Sequence, residues 1–144
     1  MKDIIDILHK GSYSCVIKNG MEVRTFTQRG VADLYDLLQN GSDFLKGASV
    51  ADKVIGKAAA VLMILGGVKE VYTDLISLPA LLLFGDTDIR LNYKNSTPFI
   101  RNRDNSGWCP LETLCHQEEL PENILPLIKG FIDKMRNSQV ATHI

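Results

Sequence analysis

Residues 47–66 read Gly-Ala-Ser-Val-Ala-Asp-Lys-Val-Ile-Gly-Lys-Ala-Ala-Ala-Val-Leu-Met-Ile-Leu-Gly, and this stretch constrains the chain more than any other. From Ala58 to Leu65 every residue is apolar. A helix with no polar face cannot lie on a surface and must be covered all round. The chain therefore has to build layers around this segment. Its beginning carries Asp52, Lys53 and Lys57, charges that border the core and are costly there unless partnered. Taken as one unit, the stretch predicts a helix N-capped by Ser49. Asp52, three positions on, is the capping-box partner and sits by the positive end of the helix dipole.

Around it the chain alternates helix and strand patterns. Lys2–His9 sets Ile4, Ile5 and Leu8 on one helical face, and Gly11 ends that helix. Tyr13–Ile17 and Glu22–Thr27 are runs of strand formers joined across Asn19-Gly20, a strong hairpin signal. Val31, Leu34, Tyr35 and Leu38 give a helix with one apolar stripe, stopped by Asn40-Gly41-Ser42. Val68–Ile76 reads as a strand, 79–84 as a short helix and Ile89–Tyr93 as a strand. A polar loop spans Pro98 to Gly107, a short helix starts at Pro110, and a last helix starts near Asn123 because Pro126 suits only a first turn. The order α-β-β-α-α-β-α-β-α-α predicts a mixed sheet covered on both faces: a three-layer α/β/α sandwich in a single domain over residues 1–144.

Bulk properties exclude several functions. A formal net charge of −1 gives no field to attract nucleic acid or anionic lipid, so neither is expected as a partner. The apolar run Ala58–Val68 is shorter than the about 20 residues that cross a bilayer. Met1 to Leu8 lacks the basic start of a signal peptide. Cys15, Cys109 and Cys115 form an odd set without scaffold spacing, which points to a reducing cytoplasm.

Two clusters carry candidate chemistry. In the helix start, Lys53 and Lys57 stand four apart and would share a face, converging on an anion with free backbone N–H groups nearby. Gly56, mid-helix in this reading, costs about 1 kcal/mol and suggests close approach of a ligand or another backbone. The same residues also fit a structural role: a cap, a helix-packing glycine and a solvated edge. In the second cluster, Asn102-Arg103-Asp104 is followed by Gly107-Trp108-Cys109-Pro110-Leu111-Glu112. Pro110 at the first helical position makes Cys109 the N-cap and Glu112 its capping-box partner. A thiol there has a lowered pKa, although free cysteines also serve as small buried hydrophobes. Cys109 and His116 on one helix lie about 10 Å apart along its axis, too far to chelate one metal.

The order of hairpin, helix and buried helix resembles the cytidine-deaminase-like fold. In that superfamily one helix opens with His or Cys followed by Ala-Glu, and a later one with Pro-Cys-x-x-Cys, which together hold a zinc ion. Val50-Ala51-Asp52 and Pro79-Ala80-Leu81-Leu82-Leu83 match those positions, but Val50, Ala80 and Leu83 replace every zinc ligand. A nearer resemblance is to a small bacterial family of unknown function with this fold and no metal. It rests on residues 47–60 and on Ile100-x-Asn102-Arg103-Asp104-x-x-Gly107-x-Cys109-Pro110-Leu111-Glu112, with Leu111 where the family usually has Met. The resemblance implies the fold and the site's location, with neither metal nor cofactor. It implies no established activity.

The functional expectation is a protein that binds a small anionic molecule, nucleotide-like or otherwise phosphorylated, through Ser49, Lys53, Gly56, Lys57, Asn102 and Arg103. One alternative is a metal-independent enzyme using Asp52 and Glu112 as acid/base groups and Cys109 as nucleophile. Another is a non-catalytic homo-oligomer or partner-binding module.

Overall fold

The computed structural model describes residues 1–28, 31–40, 43–100 and 110–142, with side chains to residue 137 in the last stretch. Helix α1 (Lys2–Lys10) leads into a hairpin of β1 (Cys15–Asn19) and β2 (Glu22–Phe26). Gly20 adopts φ 60° in the two-residue turn, a conformation glycine reaches without steric cost. There follow α2 (Ala32–Gln39), β3 (Ser49–Ile55), α3 (Lys57–Gly66), β4 (Glu70–Ser77), α4 (Leu78–Gly85) and β5 (Arg90–Thr97). The chain ends with α5 (Pro110–Cys115) and α6 (Pro121–Thr142).

One sheet of five strands runs in the order β2-β1-β3-β4-β5. β1 is antiparallel to both neighbours, whereas β3, β4 and β5 are parallel. The mixed α/β architecture agrees with the sequence expectation. The first half of residues 47–66 does not. Ser49–Ile55 is the central strand β3, paired on both sides, and the helix begins only at Lys57 with Gly56 as its N-cap. Ser49 is therefore not a helix cap, and Gly56 is a boundary rather than a mid-helix residue. Val50, Val54 and Ile55 are β-branched and suit the pleated ladder. The last helix also starts earlier than expected, at Pro121, and continues through Pro126.

The helices divide unequally between the two faces. α1 buries Ile4 and Leu8 against Val16 and Ala51, making a small core on one face. On the other face α3 is packed by α2, α4, α5 and α6. Ala58 to Met63 are all buried in this larger core, as an all-apolar helix requires. β3 and β4 also change phase together. Val50 and Ile55, five residues apart, both enter the larger core, and so do Val71 and Ile76. Strict alternation would put each pair on opposite faces. At the change, Asp52 Oδ1 accepts the Val54 N–H (3.3 Å) and its ladder partner Thr73 accepts the Leu75 N–H through Oγ1 (3.4 Å). These short-range side-chain bonds compete with the ladder on both strands at the same level. Among the described residues, no helix is long and apolar enough to cross a membrane.

Because α3 is enclosed, Leu62→Ala is expected to lower unfolding free energy by about 2–5 kcal/mol. Leu65→Ala, on the exposed end of the same helix, should change it by less than about 1 kcal/mol in the same urea titration.

Candidate functional site

The start of α3 lies at the carboxyl end of β3, where the first turn presents N–H groups without helical partners. Here that position is occupied from within. Glu112 of α5 is 4% exposed, and its Oε2 accepts the Lys57 N–H at 2.9 Å. Its second oxygen, Oε1, is buried with no hydrogen-bond partner among the described residues. Gly56 explains the approach. A Cβ there would stand 2.7 Å from Glu112 Oε2 and 3.3 Å from Ile100 Cγ1. The backbone of Gly56 is extended, so the glycine is required by space and not by its torsion angles.

Lys57 answers in the opposite direction. Its side chain is drawn inward, 5% exposed, and the ammonium donates to the carbonyls of His116 (3.1 Å) and Glu118 beyond the end of α5. α5 thus supplies a carboxylate to the start of α3, and α3 supplies a cation to the last carbonyls around α5. Each charge sits at the helix end whose dipole favours it.

Asp52 forms a separate centre on β3. It stands opposite Cys15 on β1 and beside Thr73 on β4, both buried. Burial pushes its carboxyl up to about 7, against the stabilising hydrogen bonds from the Val54 N–H, the Cys15 thiol and the Lys53 N–H. Burial and the neighbouring carboxylate push the Cys15 thiol well above its usual range. This thiol is consequently no thiolate at neutral pH.

The remaining candidates are dispersed. Ser49 begins β3, so about 25 Å of extended chain separates it from Lys57. Its hydroxyl donates to Glu70 Oε1 at 2.6 Å, in a polar cleft of about 240 Å³ that Met1, Lys18 and Lys69 also line. Lys53 is half-buried on β3 and does not share a helical face with Lys57. Val50-Ala51-Asp52 lies within a strand, so its match to a deaminase helix start does not hold; Ala80 and Leu83 do lie on α4, following β4. Asn102, Arg103 and Cys109 lie outside the described residues.

One cluster has no counterpart in the sequence reading. On the α1 side of the sheet, Asp74 Oδ1 accepts the Tyr72 hydroxyl at 2.6 Å and lies 2.8 Å from His9 Nε2. The hydrogen bond to Asp74 pushes the Tyr72 hydroxyl up to about 12. Burial opposes the Asp74 charge, but the bonds from Tyr72 and His9 hold its carboxyl below the usual range. The Tyr72–Asp74 spacing of two places both on one face of a strand, but nothing in the sequence brings His9 to them.

The comparisons agree with this architecture. A family described as "TM1506: Domain of unknown function (DUF1893)" matches residues 3–132. The chain belongs to the DUF1893 family. It is also similar to the crystal structure of a DUF1893 family protein (TM1506) from Thermotoga maritima, at 26% identity and a TM-score of 0.83. That match covers 90% of this chain and 87% of the other. No curated protein matches the chain.

Two measurements test these centres. Gly56→Ala is expected to force the Glu112 carboxylate from the start of α3 and destabilise the fold by about 1–3 kcal/mol in urea titration. Asp52 holds its proton in the folded state to about pH 7, whereas the unfolded chain releases it near pH 4. Between those values the unfolded state binds fewer protons, so stability falls as pH rises, by on the order of 4 kcal/mol, and levels off above. Asp52→Asn should remove this slope and be more stable than the wild type at pH 8. Parallel pH profiles for the two proteins would show that Asp52 ionises normally.

Proposed function

We propose that this DUF1893 protein binds a nucleotide-like small molecule at the start of α3, on a deaminase-like sandwich, and reads it through the free oxygen of Glu112. The observation that carries this reading is a 4% exposed carboxylate with one oxygen unsatisfied among the described residues, set against a side-chain-free glycine. A buried acceptor left without a donor is costly, and ligand sites are where such groups are retained. Its complement is an N–H donor on a flat group, such as the amino edge of a nucleobase, with Ile100 beside Gly56 as apolar contact.

The charge inventory argues against phosphate at this point. The Lys57 ammonium is committed to two carbonyls, and the backbone N–H of the same residue is taken by Glu112. A phosphate brought there would meet a carboxylate. If the ligand carries phosphate, Lys53 and the Asn102-Arg103 pair remain the residues suited to it. A second reading, acid–base catalysis, is supported by Asp52: a carboxyl near pH 7 is populated in both protonation states at neutrality.

Thermal shift with a nucleoside panel tests the binding reading, since a ligand at 100 times its Kd stabilises by about 2.7 kcal/mol. Cytidine or adenosine is expected to raise the Tm while inorganic phosphate alone does not, and Glu112→Gln should lose at least about tenfold in affinity. Equal shifts with phosphate alone, or nucleoside binding indifferent to Glu112→Gln, would refute it.

A further inference from the structure

β5 ends the sheet, and among the described residues its outer edge pairs with no other strand. It is eight residues long, and Asn92 to Ser96 are all exposed. An edge of that length presents a row of unpaired N–H and C=O groups, which proteins usually shorten, bulge or cover. The opposite edge, β2, is only five residues and carries the Glu22–Arg24 ion pair. Next to β5 lies α4, Leu-Pro-Ala-Leu-Leu-Leu-Phe-Gly, as devoid of polar side chains as α3 is beyond Lys57. α3 is enclosed, but α4 leaves Leu78 47% and Leu82 76% exposed, one turn apart on the side opposite buried Ala80 and Phe84. Tyr93 on β5 is 45% exposed. An apolar helix and an open strand edge are thus adjacent and both uncovered.

We propose that β5 and α4 together form the interface with a second copy of this chain, the two β5 strands pairing antiparallel across a two-fold axis. Self-complementarity favours that occupant. A two-fold axis normal to the sheet sets one residue opposite its own copy, and with Tyr93 on the axis Asn92 faces the partner's Lys94 and Arg90 the partner's Ser96. No like charges then face each other, and the two Tyr93 side chains form an aromatic pair across the axis. Moving the axis by one residue would instead oppose Lys94 to its own copy, which is unfavourable. Helix spacing fits the same arrangement. α4 packs on both β4 and β5. With strands about 4.8 Å apart, a helix above the midline of those two strands lies one strand spacing from the axis. Its copy is then about 10 Å away, the usual separation of packed helices. The axis stands perpendicular to the sheet, so both α4 helices share one face, where Leu78 and Leu82 gain cover.

Light scattering on the full chain tests the proposal. The expected mass is twice the 16.0 kDa of one chain. Tyr93→Lys opposes two lysines across the axis and should raise the dimer dissociation constant about tenfold or more, whereas Tyr93→Phe should retain the dimer. Leu82→Glu, on an exposed position that the monomer fold does not need, should also dissociate it with circular dichroism unchanged. A mass of 16.0 kDa for the wild type at every concentration up to its solubility limit overturns the proposal. So does a dimer whose dissociation constant is unaffected by both Tyr93→Lys and Leu82→Glu.

Discussion

The need to enclose α3 organises this molecule. A helix with apolar side chains on every side needs neighbours on every side, and the sheet supplies only one of them. α2, α4, α5 and α6 supply the rest, which is why the larger core has these helices on one face while α1 alone covers part of the other. Enclosure reaches the helix's first turn, where backbone N–H groups have no helical partner and cannot turn to water. The Glu112 carboxylate meets that requirement for the Lys57 N–H, and the Lys57 ammonium in turn serves the carbonyls beyond α5. Their exchange between α3 and α5 is thus a consequence of burial, and it also leaves one carboxylate oxygen without a partner among the described residues.

Most of the frame was legible from local pattern. The hairpin turn, the all-apolar helix, the amphipathic α1 and α2 and the proline at the start of α5 are each written in a few neighbouring residues. β3 was not. Ser49 and Asp52 stand at capping-box spacing and Val50-Ala51 continue into an apolar run, so helix and strand patterns overlap there. What decides between them is pairing with β1 and β4, which comes from residues 31 to 37 and 21 positions away (Ser49 with Lys18 across 31, Asp52 with Cys15 across 37, Ser49 with Glu70 across 21) and leaves no local mark. Gly56 held the clue. A glycine costly within a helix is cheap at its boundary.

The site was legible in part for the same reason. Gly56 and Glu112 were singled out from spacing, and close approach at Gly56 was anticipated without knowing its partner. Their meeting depends on α5 folding back across α3, a contact between residues 56 positions apart. Lys53 and Lys57 lost their shared face once a strand end fell between them. Asp52 kept its importance but changed its company, from a helix dipole to a thiol, a threonine and the interior of the sheet.

Two buried carboxylates in one small fold have been given opposite environments. Glu112 receives a backbone N–H at a helix start, where negative charge is favoured. Asp52 sits between strands, where the loss of water outweighs its hydrogen bonds and holds the proton to about pH 7. The contrast between α3 and α4 extends that logic from charge to surface. Two helices of nearly the same apolar composition differ in that one is closed in by its own chain and the other is left open beside a bare strand. Enclosure that this chain completes for α3 it does not complete for α4, whose Leu78 and Leu82 stay exposed.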